Sequence, residues 1–301
     1  MRRYSIKEII LVFFALLNFP AYSFNSKLLH PEIHQYDAYF HNAYLQQPDI
    51  PKGILEAIAF SYTRIQHHQS IETTQTSCIG IPETHGVMGL TENGKGFFKN
   101  NLTYVSVLSG FSKKELKEKP ESSILGYAKA YSKLLTKTTQ SDWNRHVDVL
   151  KALSELPQNT IQQDFALNSQ IYVMLWFLNQ PEFQEEFQFP DHMLDLSRIF
   201  GEENYKVLSS NFISINREEI KSNSGDKYTK MPGPCADFPG SIWVAADATN
   251  FSTRGGTSIS AITIHDIEGT YAGAIAWFQN PMANVSAHYC LRSIDGQVTQ
   301  M

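Results

Sequence analysis

From about Leu28 to about Leu208 the apolar residues fall at helical spacing, and beyond that point the pattern changes. Ile54-Leu55-x-Ala57-Ile58-x-Phe60, Ile124-Leu125-x-Tyr127-Ala128-x-Ala130-Tyr131 and the run from Tyr172 to Leu178 each repeat with a period near 3.6. Pro51 suits the first turn before the Ile54 helix, Pro120 precedes the Ile124 helix, and Pro181 sits just past the Tyr172 helix. Residues 24–208 are therefore expected to form an all-α domain, with the aromatic-rich stretch Tyr172 to Phe177 in its core.

The composition of residues 209–256 shifts to Ser, Asn, Gly and Pro, with Ser222-Asn223-Ser224-Gly225-Asp226 and Pro232-Gly233-Pro234 as breakers. This stretch reads as a linker and entry segment, tied down late by Trp243 and Phe251. Residues 257–301 begin an α/β arrangement. Ser258 to His265 alternates and is β-branched, which predicts a strand ending at His265; Tyr271 to Phe278 predicts a short helix stopped by Asn280-Pro281. Ser286 to Arg292 and Gln297 to Gln300 flank Ile294-Asp295-Gly296, where Asp-Gly signals a hairpin. The overall expectation is α+β: an all-α domain followed by strand, helix and hairpin.

At the N-terminus, Arg2, Arg3 and Lys7 precede an apolar run from Ile9 to Leu17, followed by Pro20 and Ala21-Tyr22-Ser23. That pattern predicts a secretory signal peptide over residues 1–23, cleaved after Ser23, and an exported protein of the periplasm or extracellular space. The run is too short for a membrane span, so no stable span is expected after cleavage. A net charge of -5 carries no basic stripe for nucleic acid, and no nucleic-acid partner is expected. Three cysteines, Cys78, Cys235 and Cys290, leave at least one unpaired, and none has a C-x-x-C spacing for a zinc cluster or redox pair.

A histidine closing a strand at the carboxyl edge of a sheet stands where open α/β sheets put their ligands. The surrounding blocks sharpen this reading. Ala261-Ile262-Thr263-Ile264-His265-Asp266, Gly269-Thr270-Tyr271-Ala272-Gly273 with Trp277-Phe278-Gln279-Asn280, and Val285-Ser286-Ala287-His288-Tyr289 with Asp295 to Met301 resemble the type-2 N-acetylmuramoyl-L-alanine amidases, zinc enzymes of the peptidoglycan recognition protein superfamily. The resemblance covers about the last 45 residues, or about 70 with the lead-in from Pro232. It implies peptidoglycan as partner, His265 as first ligand to Zn2+, and His288 and Tyr289 as residues lining the peptide-stem groove. It also implies hydrolysis of the amide between N-acetylmuramic acid and L-alanine.

That chemistry needs a Lewis acid that polarises the carbonyl and lowers the pKa of bound water to about 7. Catalytic zinc takes three protein ligands and an open fourth position. In the family the remaining ligands and the general base follow the hairpin, so they are expected beyond Met301, and this chain alone is expected to be inactive. The same reasoning leaves the apolar face of the Tyr271 to Phe278 helix partly uncovered.

A second resemblance lies in the helical half. Ile54 to Arg64, then Gly86-Val87-Met88-Gly89-Leu90, then Ile124 to Tyr131 resemble the skeleton of lysozyme-like lytic transglycosylases. The resemblance implies a catalytic glutamate where this chain has Tyr62, and a phenol is a poor acid for glycosidic cleavage. Glu56 and Glu83 are nearby carboxylates, read as solvated, and His67-His68 as a solvated loop. Two alternatives to the amidase reading stand beside it: a non-catalytic peptidoglycan-binding protein, and a lytic transglycosylase acting through the helical half.

Overall fold

The computed structural model describes residues 31–69, 80–135, 142–209, 213–215, 220–222, 241–257, 262–265, 267, 269–292 and 297–301. Residues 1–23, read as a signal peptide, Cys78, Cys235, Asp266 and Asp295-Gly296, read as a turn, lie outside the described residues. Residues 31–301 form one compact unit. No helix of the described residues is long and apolar enough to cross a membrane.

The helical body runs through α1 (Asp37–Gln46), α2 (Ile54–Thr63), α3 (Asn101–Ser109), α4 (Lys113–Glu118), α5 (Pro120–Leu135), α6 (Trp143–Leu153), α7 (Ile161–Leu178), α8 (Pro181–Phe187), α9 (Leu196–Phe200) and α10 (Glu202–Leu208). A two-stranded ribbon, β1 (Thr84–His85) with β2 (Leu90–Thr91), interrupts it. α2 is buried on nearly every side, from Ile54 through Phe60 and on to Tyr62 and Thr63, because it carries almost no polar face to turn to water. It packs along α7, whose Phe177 stacks on Phe183 with ring centroids 4.0 Å apart and lies 5.5 Å from Phe60. The Tyr172 to Phe177 stretch is core, as its composition predicts, with Trp176 half-buried.

Two glycines of the Gly86-Val87-Met88-Gly89 turn answer to close approach. Gly86 has φ +71°, and a Cβ there would sit 2.4 Å from Ser123 Oγ and 2.7 Å from the Leu116 carbonyl oxygen. Gly89 has φ +61° and lies against Tyr62, whose Cβ would be 2.6 Å away. His68 is not a solvated loop residue: its backbone bridges Gly86 in both directions, and its Nδ1 is 3.0 Å from Thr84 Oγ1.

The C-terminal sheet has the order β4-β3-β5-β7-β6, with β3 (Ile213–Ile215), β4 (Ile220–Ser222), β5 (Ser241–Val244), β6 (Tyr289–Leu291) and β7 (Val298–Gln300). β5 is parallel to β3 and β7, and β6 pairs antiparallel with β7 in the register Tyr289↔Gln300. The expected hairpin is present. The stretch read as linker holds β3, β4 and β5, because its short β-branched runs find ladder partners despite the breakers around them. Trp243 lies in β5, whereas Phe251 is 57% exposed and ties nothing down.

The expected strand at Ser258 to His265 is not found where it can be followed. Ile262 to His265 have no regular structure, and Ile262 and Ile264 are 88% and 90% exposed; residues 258–261 lie outside the described residues. Alternation makes a strand only where a neighbouring strand accepts the ladder, and here β5 is flanked on both sides by β3 and β7.

The helix α11 (Tyr271–Phe278) has the predicted bounds, but its surroundings differ from expectation. Ala272 to Phe278 are all buried, because the helical body covers what the sheet does not. α7 lies along one side, Trp277 stacks on Phe98 at 5.8 Å, and Tyr271 bonds Thr299 of β7. Thr270 Oγ1 caps the start by accepting from Gly273 N at 2.9 Å. Asn250 Nδ2 closes the end by donating to the carbonyls of Phe278 and Asn280 at 2.8 and 2.9 Å.

Gly86→Ala is expected to destabilise the fold by about 2 kcal/mol or more, since the new methyl meets backbone and a left-handed φ at once. Equilibrium urea unfolding checks this; a variant as stable as wild type would contradict the close approach.

Candidate functional site

The C-terminal residues proposed for zinc and stem peptide are all at the surface. His265 is exposed and follows the unpaired Ile262 to Ile264 stretch. His288 and Tyr289 are exposed at the start of β6, where the Met301 amide donates to the His288 carbonyl at 3.0 Å. Cys290 between Tyr289 and Leu291 faces inward, and burial pushes its thiol up to about 12, so it is a core residue and no nucleophile. Among the described residues no group of three or more His, Cys, Asp or Glu could hold a metal ion. His265 is thus placed in the open, without a set of companion ligands among those residues.

The helical half concentrates its buried charge in two places. At the start of α2, Glu56 is only 8% exposed, so it is not the solvated carboxylate the sequence predicts. Tyr44 donates its hydroxyl proton to Glu56 Oε2 at 2.5 Å, and the same phenol oxygen accepts from Gly53 N and Leu55 N. Burial raises the Glu56 carboxyl to about 7, opposed by the bond from Tyr44. Glu83 is exposed, as expected.

At the other end of α2 lies the second place. Tyr62 is buried, and its hydroxyl donates to Glu155 Oε2 at 2.7 Å and lies 3.1 Å from Gln170 Oε1. Gln170 Nε2 donates to Glu155 Oε1 at 3.2 Å, and Ser154 Oγ donates to Gln170 Oε1 at 2.8 Å. Burial holds the Glu155 carboxyl above its ordinary range and drives the Tyr62 phenol well up. The residue standing in for the expected acid therefore makes a direct bond to an acid. Sequence reasoning missed Glu155, which is distant in the chain and sits in the connection after α6; its only sequence signal is a lone carboxylate in the apolar run Val149 to Pro157.

The buried Glu56 has a consequence for pH. Its folded pKa lies above the unfolded value of 4.5, so its contribution is most favourable at low pH and declines as pH rises from about 4.5 to about 7. The loss is on the order of 3 kcal/mol across that window. Glu56→Gln should flatten this part of the stability profile, as measured by denaturant midpoints at a series of pH values; an unchanged slope would contradict the assignment.

One comparison with known proteins finds a partial match to an amidase. N-acetylmuramoyl-L-alanine amidase A of Achromobacter lyticus is 54% identical to this chain over 65 residues, 22% of this chain and 36% of that protein. The chain spans about a third of the length of this relative. No protein-family profile and no solved structure matches the chain. The partial match supports the amidase family.

Proposed function

We propose that this chain is an exported, peptidoglycan-directed protein of the amidase class, in which the C-terminal segment presents part of a site for cleaving the amide between N-acetylmuramic acid and L-alanine. The observation that carries the reading is the 54% identity over 65 residues to an amidase. The blocks around His265, Thr270 to Asn280 and His288-Tyr289 agree with it. In this reading His265 is a zinc ligand, and His288 and Tyr289, exposed at the start of β6, line the stem-peptide groove.

The described residues do not by themselves fit a catalytic zinc ion. One imidazole cannot fix three of four tetrahedral positions or select zinc over other metals. When bound in a full ligand set, zinc supplies the Lewis acid and the activated water that amide hydrolysis requires. What the chain's own residues offer is recognition: an exposed imidazole at His265, and a second imidazole beside a phenol at His288 and Tyr289, groups that hydrogen-bond amides and carboxylates of a short peptide.

One alternative stands beside it, a non-catalytic peptidoglycan-binding protein, for which the exposed His265, His288 and Tyr289 offer hydrogen-bonding groups. Cleavage by the helical half, the lytic transglycosylase reading, has less support. Tyr62 occupies the place of the acid, and Glu155 behind it is bonded on both oxygens and covered.

Purified full-length chain is expected to sediment with peptidoglycan sacculi while releasing neither free stem peptides nor anhydromuramic products, even with zinc supplied. Near-stoichiometric zinc with stem-peptide release that His265→Ala abolishes would overturn the incomplete-site reading in favour of an active amidase. Anhydromuramic products would assign cleavage to the helical half. Failure to sediment would remove the peptidoglycan partner.

A further inference from the structure

We propose that Glu155 is a protonation latch: as a neutral carboxyl it helps hold α11 against the helical body, and its ionisation loosens the seat of that helix. The inference goes beyond the amidase reading and does not depend on it. Glu155 is 6% exposed and lies where the two parts of the chain meet. Gln170 bridges the joint, its Nε2 donating to Glu155 Oε1 and lying 3.4 Å from Thr270 Oγ1, the cap of α11. A Cβ on Gly273, in the first turn of α11, would stand 3.9 Å from Glu155 Oε1. The first turn of the helix thus rests on the carboxyl group itself.

The partners gathered around that group are neutral. Tyr62 comes from α2, Gln170 from α7, and Ser154 from the end of α6; among the described residues none of the hydrogen bonds to the carboxyl comes from a cation. Lys99, in the segment leading into α3, bonds Glu155 at the backbone, its N donating to the Glu155 carbonyl at 2.7 Å, and acts on the carboxyl group through its field, its Nζ donating to the Lys151 carbonyl at 2.9 Å. Tyr127 of α5 faces the same space as a second phenol. From the sheet side Arg292, next to β6, donates from its guanidinium to Ser169 Oγ at 3.3 Å. α11 itself brings no charge, and Gly273 N, the amide that would aim at an anion, is already taken by Thr270 Oγ1. A carboxylate made here would lose its water with only the field of Lys99, and no hydrogen bond from a cation among the described residues, to offset the loss, a cost that seating α11 imposes and lifting α11 relieves.

The sign follows from that asymmetry. Burial raises the carboxyl's pKa in the seated state, so seating is most favourable where Glu155 is protonated in both states and weakens as pH rises through the raised value, the proton passing to solvent. Glu56, the other buried carboxyl, is at the opposite end of α2 and bonds Tyr44, so its titration is not a local event at α11.

Amide hydrogen exchange of the full chain, corrected for intrinsic rates, reads the latch through residues 271–278 with α3 and α5 as internal references. Between about pH 5 and about pH 8, protection of 271–278 is expected to fall by roughly an order of magnitude relative to those references. In Glu155→Gln, which keeps the shape and removes the charge, the pH dependence should vanish and protection should persist. A wild-type profile without pH dependence, or the same dependence in Glu155→Gln, would overturn the proposal. Should the variant fail to fold, carboxyl-carbon NMR titration of the wild-type chain decides: Glu155 ionising in the ordinary carboxylate range would overturn the latch, and ionisation displaced upward together with exchange at 271–278 would support it.

Discussion

The burial of α11 is the interaction on which the C-terminal half depends. The helix is apolar all round, from Ala272 to Phe278, and eight residues of such sequence have no stability of their own in water. It survives because α7 and the Phe97–Phe98 pair cover one side while β6 and β7 take another. Both ends of its backbone are then satisfied by side chains, Thr270 at the start and Asn250 at the finish. Strand β6 packs on the same helix and β7 bonds it through Tyr271, since three-residue ladder contacts are marginal without a packed face.

Because α11 is shared, the helical body contributes to the C-terminal segment more than a tether. Its α7 supplies an apolar wall and, through Ser169 and Gln170, a polar row that meets Arg292 and Thr270. The cluster at Tyr62, Glu155 and Gln170 lies under this joint, so the position that the helical resemblance marks for chemistry is here spent on joining the two parts. That use accounts for the phenol at Tyr62, which keeps a long buried side chain and one proton to donate where a second carboxylate beside Glu155 would place two like charges together.

Much of this was legible in the sequence, unevenly. α2, α5, α7 and α11 announce themselves through dense apolar spacing, and α11 even through its bounds, because Thr270 caps it and Asn280-Pro281 ends it. The β6–β7 hairpin followed from its turn residues. β3, β4 and β5 did not, because three- and four-residue strands amid Ser, Asn and Gly carry too little pattern to stand out, and their existence depends on partners far along the chain. The stretch ending at His265 shows the converse: Ile262 and Ile264 alternate as a strand should, yet alternation does not supply a neighbour. Of the site residues, His288 and Tyr289 are exposed, while Glu155 was hidden because nothing local distinguishes a buried carboxylate from a solvated one.

Residues 31–301 form one compact unit, and α11 touches both its helical body and its sheet. Equilibrium denaturant unfolding of wild-type chain and Trp277→Ala, followed by residue-resolved hydrogen exchange over α7 and over β5 to β7, tests it most directly. A single shared transition is expected, moving to lower denaturant in the variant for both regions, by about 3 kcal/mol for loss of a buried tryptophan. Separate transitions in wild type, or a shift of β5 to β7 that leaves α7 untouched, would contradict it.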